Sequence, residues 1–312
     1  MNQKKLAGYK PRASVHTLQI KNRGANINIS DAAMPFINSS VIHKKETESG
    51  TRFTTLTVIN PNHGSSGDCM GFSQFCRVLD TVVDGIGVSK FRTSRCDLRI
   101  DTYSQNDYKR FGKLHRYLVS AIAETYKVEN CYKTVDLFNE TQLSVAIKGA
   151  GFECEAYNRE RKSALTGNKT ETATSRFEIR TTGKGWRAYT MHDTESNVDA
   201  MQREFCDHWI KRLRKSTTPE KLKQVRERYN RELLADYQQS KDDLTTFLCI
   251  NRDRFFTSKQ MSDFLDAIGY QGNSREKVKN FKKRKGIEFF SDRDIRVAVD
   301  EIERAIQGFF DA

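Results

Sequence analysis

Long apolar runs are missing from this chain. No stretch reaches the roughly 18 consecutive apolar residues a membrane-crossing helix needs, and the segment 1–7 carries lysines with no apolar signal core behind them. A soluble, cytoplasmic protein with no membrane partner is the expectation. The seven cysteines, at 69, 76, 96, 131, 154, 206 and 249, form no C-x-x-C pair and leave an odd one over. That argues against a disulfide framework and against a thiolate zinc site; reduced and mostly buried thiols are expected. No His-x-His pair exists among the histidines at 16, 43, 63, 115, 192 and 208. The glycine-rich segment 63–68 lacks the Gly-Lys-Ser/Thr ending of a phosphate-binding loop and reads as a turn. With four prolines and eighteen glycines in 312 residues and no period of about 20 to 50 residues, a solenoid is also excluded.

What the chain has is basic charge. Lysine and arginine number 53 against 40 acids, a formal net charge of +13, which draws a protein towards a polyanion, nucleic acid foremost. The excess is not spread evenly. Residues 209–232 hold nine Lys/Arg against three Asp/Glu, and residues 275–286 hold seven against one.

Periodicity gives the organisation. Residues 25–29, 36–43 and 52–59 read as short strands, the last two flanking a polar turn at 45–50. Phe72, Phe75, Leu79 and Val82 recur at helical spacing, with Gly85 placed to end the helix in a left-handed conformation. Residues 95–103 alternate again, and Phe111, Leu114, Leu118 and Ile122 form the stripe of a helix over 107–126. The alternating runs 143–147 and 152–156 flank Gly149, Ala150 and Gly151, a connection suited to an antiparallel hairpin, and a third strand starts near Phe177. Beyond residue 195 the pattern is helical. The expectation is an α+β fold: an antiparallel sheet with flanking helices over 1–195, a basic helical segment over 196–248, and a small helical unit over 249–312. The last fits both a DNA-reading helix-turn-helix and a plain bundle.

Side chains on a strand alternate faces, so the polar face of each strand can be read directly. Opposite Cys96, Leu98 and Ile100 stand Arg95, Asp97, Arg99 and Asp101; opposite Phe152, Cys154 and Ala156 stand Glu153, Glu155 and Tyr157; the next strand shows Arg176, Glu178 and Arg180. A half-covered sheet normally has such a wet side. Three strands that each set carboxylates beside arginine or tyrosine also suit a cation site facing phosphate. Hard oxygen ligands select Mg²⁺ or Mn²⁺, and a neighbouring tyrosine is a potential nucleophile.

The blocks Arg95-Cys96-Asp97-Leu98, Tyr157-Asn158-Arg159 and Arg176-Phe177-Glu178-Ile179 resemble, in order and approximate spacing, those of the rolling-circle replication initiators of small plasmids and filamentous phages. The resemblance covers residues 36–185. It implies a nicking enzyme in which Tyr157 attacks one strand of origin DNA and becomes joined to the 5′-phosphate. Asp97 and Glu178 would hold Mg²⁺ or Mn²⁺, with Glu155 and Asp101 as weaker ligands. Arg95, Arg99, Arg159, Arg161, Lys162, Arg176 and Arg180 would meet phosphates near the cut, and Lys211, Arg212, Arg214, Lys282, Lys283, Arg284 and Lys285 would hold DNA further away. Origin DNA is the implied partner, followed by a host helicase and polymerase; a homodimer on an inverted repeat is compatible with the same role. Arg159 stands where plasmid members commonly carry Lys, which keeps the charge and changes the geometry of a phosphate contact. Alternatives within reach of the same residues are a mobilisation relaxase of the same chemistry and a non-catalytic DNA-binding regulator.

Overall fold

The structure is a computed structural model, and it describes residues 6, 8–23, 28–38, 43–46, 52–59, 70–103, 111–128, 131–136, 141–159, 175–285 and 288–312. Its centre is one antiparallel sheet of eight strands. In chain order these are β1 (Arg12–Arg23), β2 (His43–Glu46), β3 (Arg52–Ile59), β4 (Arg92–Thr102), β5 (Cys131–Asp136), β6 (Thr141–Lys148), β7 (Phe152–Asn158) and β8 (Ser175–Thr182). Across the sheet they lie in the order β2-β3-β1-β4-β8-β7-β6-β5. Together with the helices below, this is the expected α+β architecture with an antiparallel sheet.

Two strand expectations change. Residues 25–27 lie outside the described residues, as do 39–42, while Phe36 closes a 3-10 turn (Met34–Phe36) and Ile37 makes an isolated bridge to Val58. The long strand β1 was not read from the sequence at all. Its inward residues are Ala13 and Val15, then Leu18 and Ile20, so the alternation changes parity midway. The cause is a β-bulge: Val15 pairs with Leu98 and Thr17 with Asp97, leaving His16 as the extra residue. A bulge inserts one residue, bends the strand and re-aims a side chain. Here His16 and Thr17 both fall on the polar side.

The hairpin of β6 and β7 forms as expected. Gly151 has φ +92°, and a Cβ there would come within 2.5 Å of the Gly185 backbone nitrogen, so the turn needs glycine for conformation and for space. The helix α1 (Phe72–Gly85) also forms, but its left-handed terminator is Gly87, at φ +64°, and not Gly85. Gly85 serves close packing instead: a Cβ there would meet the Ala33 side chain at 2.5 Å.

Among the described residues the further α-helices are α2 (Lys113–Tyr126), α3 (Thr194–Arg203), α4 (Ile210–Ser216), α5 (Pro219–Gln239), α6 (Leu244–Ile250), α7 (Ser258–Ala267), α8 (Ser274–Lys285) and α9 (Asp292–Phe310). A π-helical stretch, Glu204–Trp209, joins α3 to α4. One apolar cluster unites the inner face of the sheet with α1 to α5 and with the stripe Ile295, Val299, Ile302 and Ile306 of α9. A smaller cluster, including Leu233, Phe247, Phe264, Val278 and Phe281, lies in the helical part 233–289. The two parts touch at Lys113, whose buried Nζ donates to the carbonyls of Arg252 and Glu288, 3.1 Å each.

Beneath the sheet, α2 buries His115 completely. Its Nε2 lies 2.9 Å from the Tyr9 hydroxyl and its Nδ1 2.9 Å from Ser175 Oγ, partners that satisfy a neutral ring. Burial lowers its pKa from 6.5 to about 3. Below pH 6.5 the unfolded chain takes up a proton that the folded chain refuses, so stability is full above that pH and falls as pH drops. The expected loss from this group is about 1.4 kcal/mol per pH unit, or ~2 kcal/mol by pH 5. Urea denaturation of the wild type and of His115→Gln at several pH values checks this; profiles of equal slope would overturn it.

Candidate active site

The polar face read from the sequence exists, and its register is fixed by the pairings of β4, β8 and β7. Three rows run across these strands: Asp97, Arg180 and Glu153; Arg99, Glu178 and Glu155; Asp101, Arg176 and Tyr157. Antiparallel neighbours directly opposite lie close enough for their side chains to pair. Acid and base stand opposite each other at Asp97, Arg180 and Glu153, at Arg99 and Glu178 and at Asp101 and Arg176, which is what allows these charges to be buried, while Glu178 and Glu155 face each other as like charges.

The ion pairs follow. Arg95 grips Asp97 with Nε to Oδ1 at 2.8 Å and Nη2 to Oδ2 at 2.5 Å. Arg180 reaches three carboxylates: its Nε lies 2.9 Å from Asp97, its Nη2 donates to Glu178 at 2.9 Å, and its Nη1 donates to Glu153. Arg176 holds Asp101 in a two-bond fork of 2.6 and 2.7 Å, both side chains at 0% exposure. Arg99 donates to Ser14 Oγ at 2.7 Å and lies 3.5 Å from Asp101. These four arginines, expected at DNA phosphates, are engaged with their own sheet. Asp101, expected as a weaker metal ligand, is the partner of Arg176.

Tyr157 sits between the two central groups. Its phenol donates to Glu178 Oε2 at 3.1 Å and accepts from Arg176 Nη1 at 3.3 Å, and the side chain is 4% exposed. Burial raises the phenol well above its ordinary pKa, against the pull of Arg176. Burial alone would also raise Glu178, but the charges of His16, Arg180 and Arg176 outweigh it and hold this carboxyl well below the usual range. Asp97 behaves differently: burial pushes it up to about 6, with Glu178 adding to the rise and Arg95 and Arg180 opposing it.

His16 completes the site and was missed in the sequence. From its bulge it faces Asp97 and Glu178, and one ligand atom from each of the three lies within 4.8 Å of the others. The available signal was the parity change between Val15 and Leu18. Glu155 is outside this trio; it is half-buried beside Glu178 and lines a cavity of about 230 Å³ with Lys148 and Glu153.

The donor set fits a divalent cation. Asp97 accepts two hydrogen bonds from Arg95, and Glu178 accepts one from Arg180 and one from Tyr157. An ionised carboxylate offers about four lone-pair sites, so both retain capacity. Two carboxylates with one imidazole suit Mn²⁺ as well as Mg²⁺.

Of the other expected DNA contacts, Arg159 is buried just after β7, and Arg161 and Lys162 lie outside the described residues. Lys211 is exposed. Arg212 lies over the Trp209 and Phe152 rings, 4.5 Å from each centroid. Arg214 pairs with Asp300 and Glu303 of α9. Lys282, Lys283 and Arg284 are exposed on α8, while Lys285 ends that helix with its side chain outside the description.

No protein-family model matches the chain, and no curated protein does. Among solved structures it is similar to a rolling circle replication initiator protein from Geobacillus stearothermophilus, at 9% identity and a TM-score of 0.29, over 61% of this chain and 78% of that one.

Breaking the most deeply buried pair tests this face. Asp101→Ala leaves the Arg176 guanidinium charged and uncompensated, an expected cost of about 3–5 kcal/mol. The double variant Asp101→Leu/Arg176→Met, which removes both charges, is expected to recover most of it. Denaturation midpoints of the two decide; equal losses would show that the pairing carries no weight.

Proposed function

We propose that the protein is a metal-assisted, tyrosine-using DNA nickase that starts rolling-circle replication. One observation carries the reading: Tyr157 donates its phenol proton to Glu178, which also belongs to the His16, Asp97 and Glu178 cluster. The three sequence blocks quoted above support it from the side of resemblance.

The reaction is a transesterification. The Tyr157 oxygen attacks the phosphorus of one phosphodiester, the bond from phosphorus to the 3′ oxygen breaks, and the 5′-phosphate stays on the tyrosine. The phenol proton has an acceptor at 3.1 Å in Glu178, and Arg176, at 3.3 Å, lowers the cost of negative charge on the phenol oxygen. His16, Asp97 and Glu178 would hold the divalent ion, which when bound supplies positive charge against the phosphodiester oxygens. Because the phenol is 4% exposed, DNA binding has to uncover it. The freed 3′ end would pass to a helicase and a polymerase, and its return attack would reseal the circle without a nucleotide cofactor.

A second reading has an observation of its own. A buried tyrosine among fully paired charges is also what a non-catalytic DNA-binding regulator would show, with the face serving as a polar core.

One gel separates the two. Wild type incubated with a 3′-labelled single-stranded origin oligonucleotide and Mn²⁺ is expected to give a covalent adduct that survives denaturation. Tyr157→Phe is expected to give none. His16→Ala, Asp97→Ala and Glu178→Ala are expected to bind DNA yet form at least about a hundredfold less adduct. Adduct from Tyr157→Phe would reject Tyr157 as nucleophile; none from wild type would favour the regulator.

A further inference from the structure

β4 and β8 carry the site, and both lead out of it in the same direction. Arg95 pairs with Thr182, so going backwards along β4 from Asp97 and forwards along β8 from Arg180 leads to the same end of the sheet. There a groove of about 900 Å³ opens, lined by residues of β1, by 90–94 and by 183–192. Strand rise is ~3.3 Å per residue, so Ser94 in the groove lies about 10 Å along β4 from Asp97.

The chemistry of this groove is one-sided. Its fourteen lining residues include Lys21, Lys90, Arg92, Arg187 and His192 and no carboxylate. Lys90, Arg92 and Arg187 are exposed, and their side chains have no ion pair or hydrogen bond among the described residues. Some arginines elsewhere are matched, Arg214, Arg226, Arg228 and Arg254 pairing with carboxylates. Others, such as Arg77, Arg275 and Arg296, are exposed without an ion pair among the described residues, so it is the gathering of three such cations in one carboxylate-free groove that sets this place apart. The carboxylate next to the groove, Asp193, caps α3 by accepting from the Ser196 amide at 2.8 Å. The aromatic lining offers no platform: Phe91, Trp186 and Tyr189 are 2%, 1% and 8% exposed. Bases therefore have nothing to stack on, whereas phosphates meet three unmatched cations, with Asn22, Ser94 and Thr190 also in the lining.

We infer that this groove holds the sugar-phosphate backbone of a single DNA strand on one side of the cutting position, without reading its sequence. The inference rests on the nickase reading for the place of the cut, but its test does not depend on cutting.

Fluorescence anisotropy of the full chain with labelled oligo-dT of graded length, titrated over a range of salt, measures it. Each phosphate contact on single-stranded DNA contributes ~0.7 to the slope of log affinity against log salt. The triple variant Lys90→Ala/Arg92→Ala/Arg187→Ala is expected to lose about 2 from that slope and about tenfold or more in affinity at physiological salt. The charge-keeping variant Lys90→Arg/Arg92→Lys/Arg187→Lys is expected to retain the slope. All three side chains are exposed and unpaired, so the thermal melting point of either variant should stay at the wild-type value. An unchanged slope in the alanine variant overturns the inference. So does saturation of the groove by inorganic pyrophosphate as tightly as by long oligo-dT, which would mark a free-phosphate site. A lost slope without any Tyr157 adduct would keep the groove as a strand-binding site and reject the nickase; an adduct with an unchanged slope would do the reverse.

Discussion

Burying charge on a sheet face is costly unless each ion finds its opposite, and the polar face of β4, β8 and β7 is built around that requirement. Asp101 and Arg176 are wholly buried, and Arg176 donates two hydrogen bonds to Asp101. Such a pair adds little net stability compared with apolar residues of the same volume, but losing one member is severe. Its effect is positional. With Asp101 fixing the guanidinium plane, Arg176 can present a third nitrogen to the Tyr157 oxygen, and Glu178 on the same strand accepts a hydrogen bond from the phenol on the other side.

The same lattice splits the two central carboxylates. Glu178 is held well below the usual carboxylate range by His16, Arg180 and Arg176, against its burial; Asp97 is pushed up to about 6, with burial the largest cause. His16 matters for this balance because it faces both.

How much of this was legible follows from geometry. Alternation along a strand has a period of two, so the faces of β4, β7 and β8 could be written from the letters alone, and the pairings set nine of the ten named side chains in three rows, with Arg95 opposite Thr182. The hairpin at Gly149 to Gly151 was legible for the same reason, with its turn chemistry as a second signal. β1 was not, because its bulge shifts parity between Val15 and Thr17 and a strict two-residue template fails across it. The histidine of the site sits at that fault. Which arginines would be consumed by carboxylates was also illegible, since that depends on strand order, and β8 comes 73 residues after β4 in the chain at the pairing of Thr102 with Ser175.

Charge is where the letters were least direct. The run over 209–232 looked like a DNA-holding arm, yet much of it braces the fold: Arg214 ties α4 to α9, Arg226 pairs with Asp292 at the start of α9, and Arg228 pairs with Glu124 on α2. Arg212 is spread over aromatic rings. A cation already matched by a carboxylate gives up that partner before it can take a phosphate, so it adds little to DNA affinity. The exposed lysines and arginine of α8 keep that capacity, as do Lys90 and Arg92 together with the distant Arg187, which joins them only where β4, β8 and the segment after it meet. The chain's +13 is therefore a poor guide to which cations are open to a polyanion; the places where they stand unmatched, among them α8 and the groove that continues the two strands of the site, are the better one.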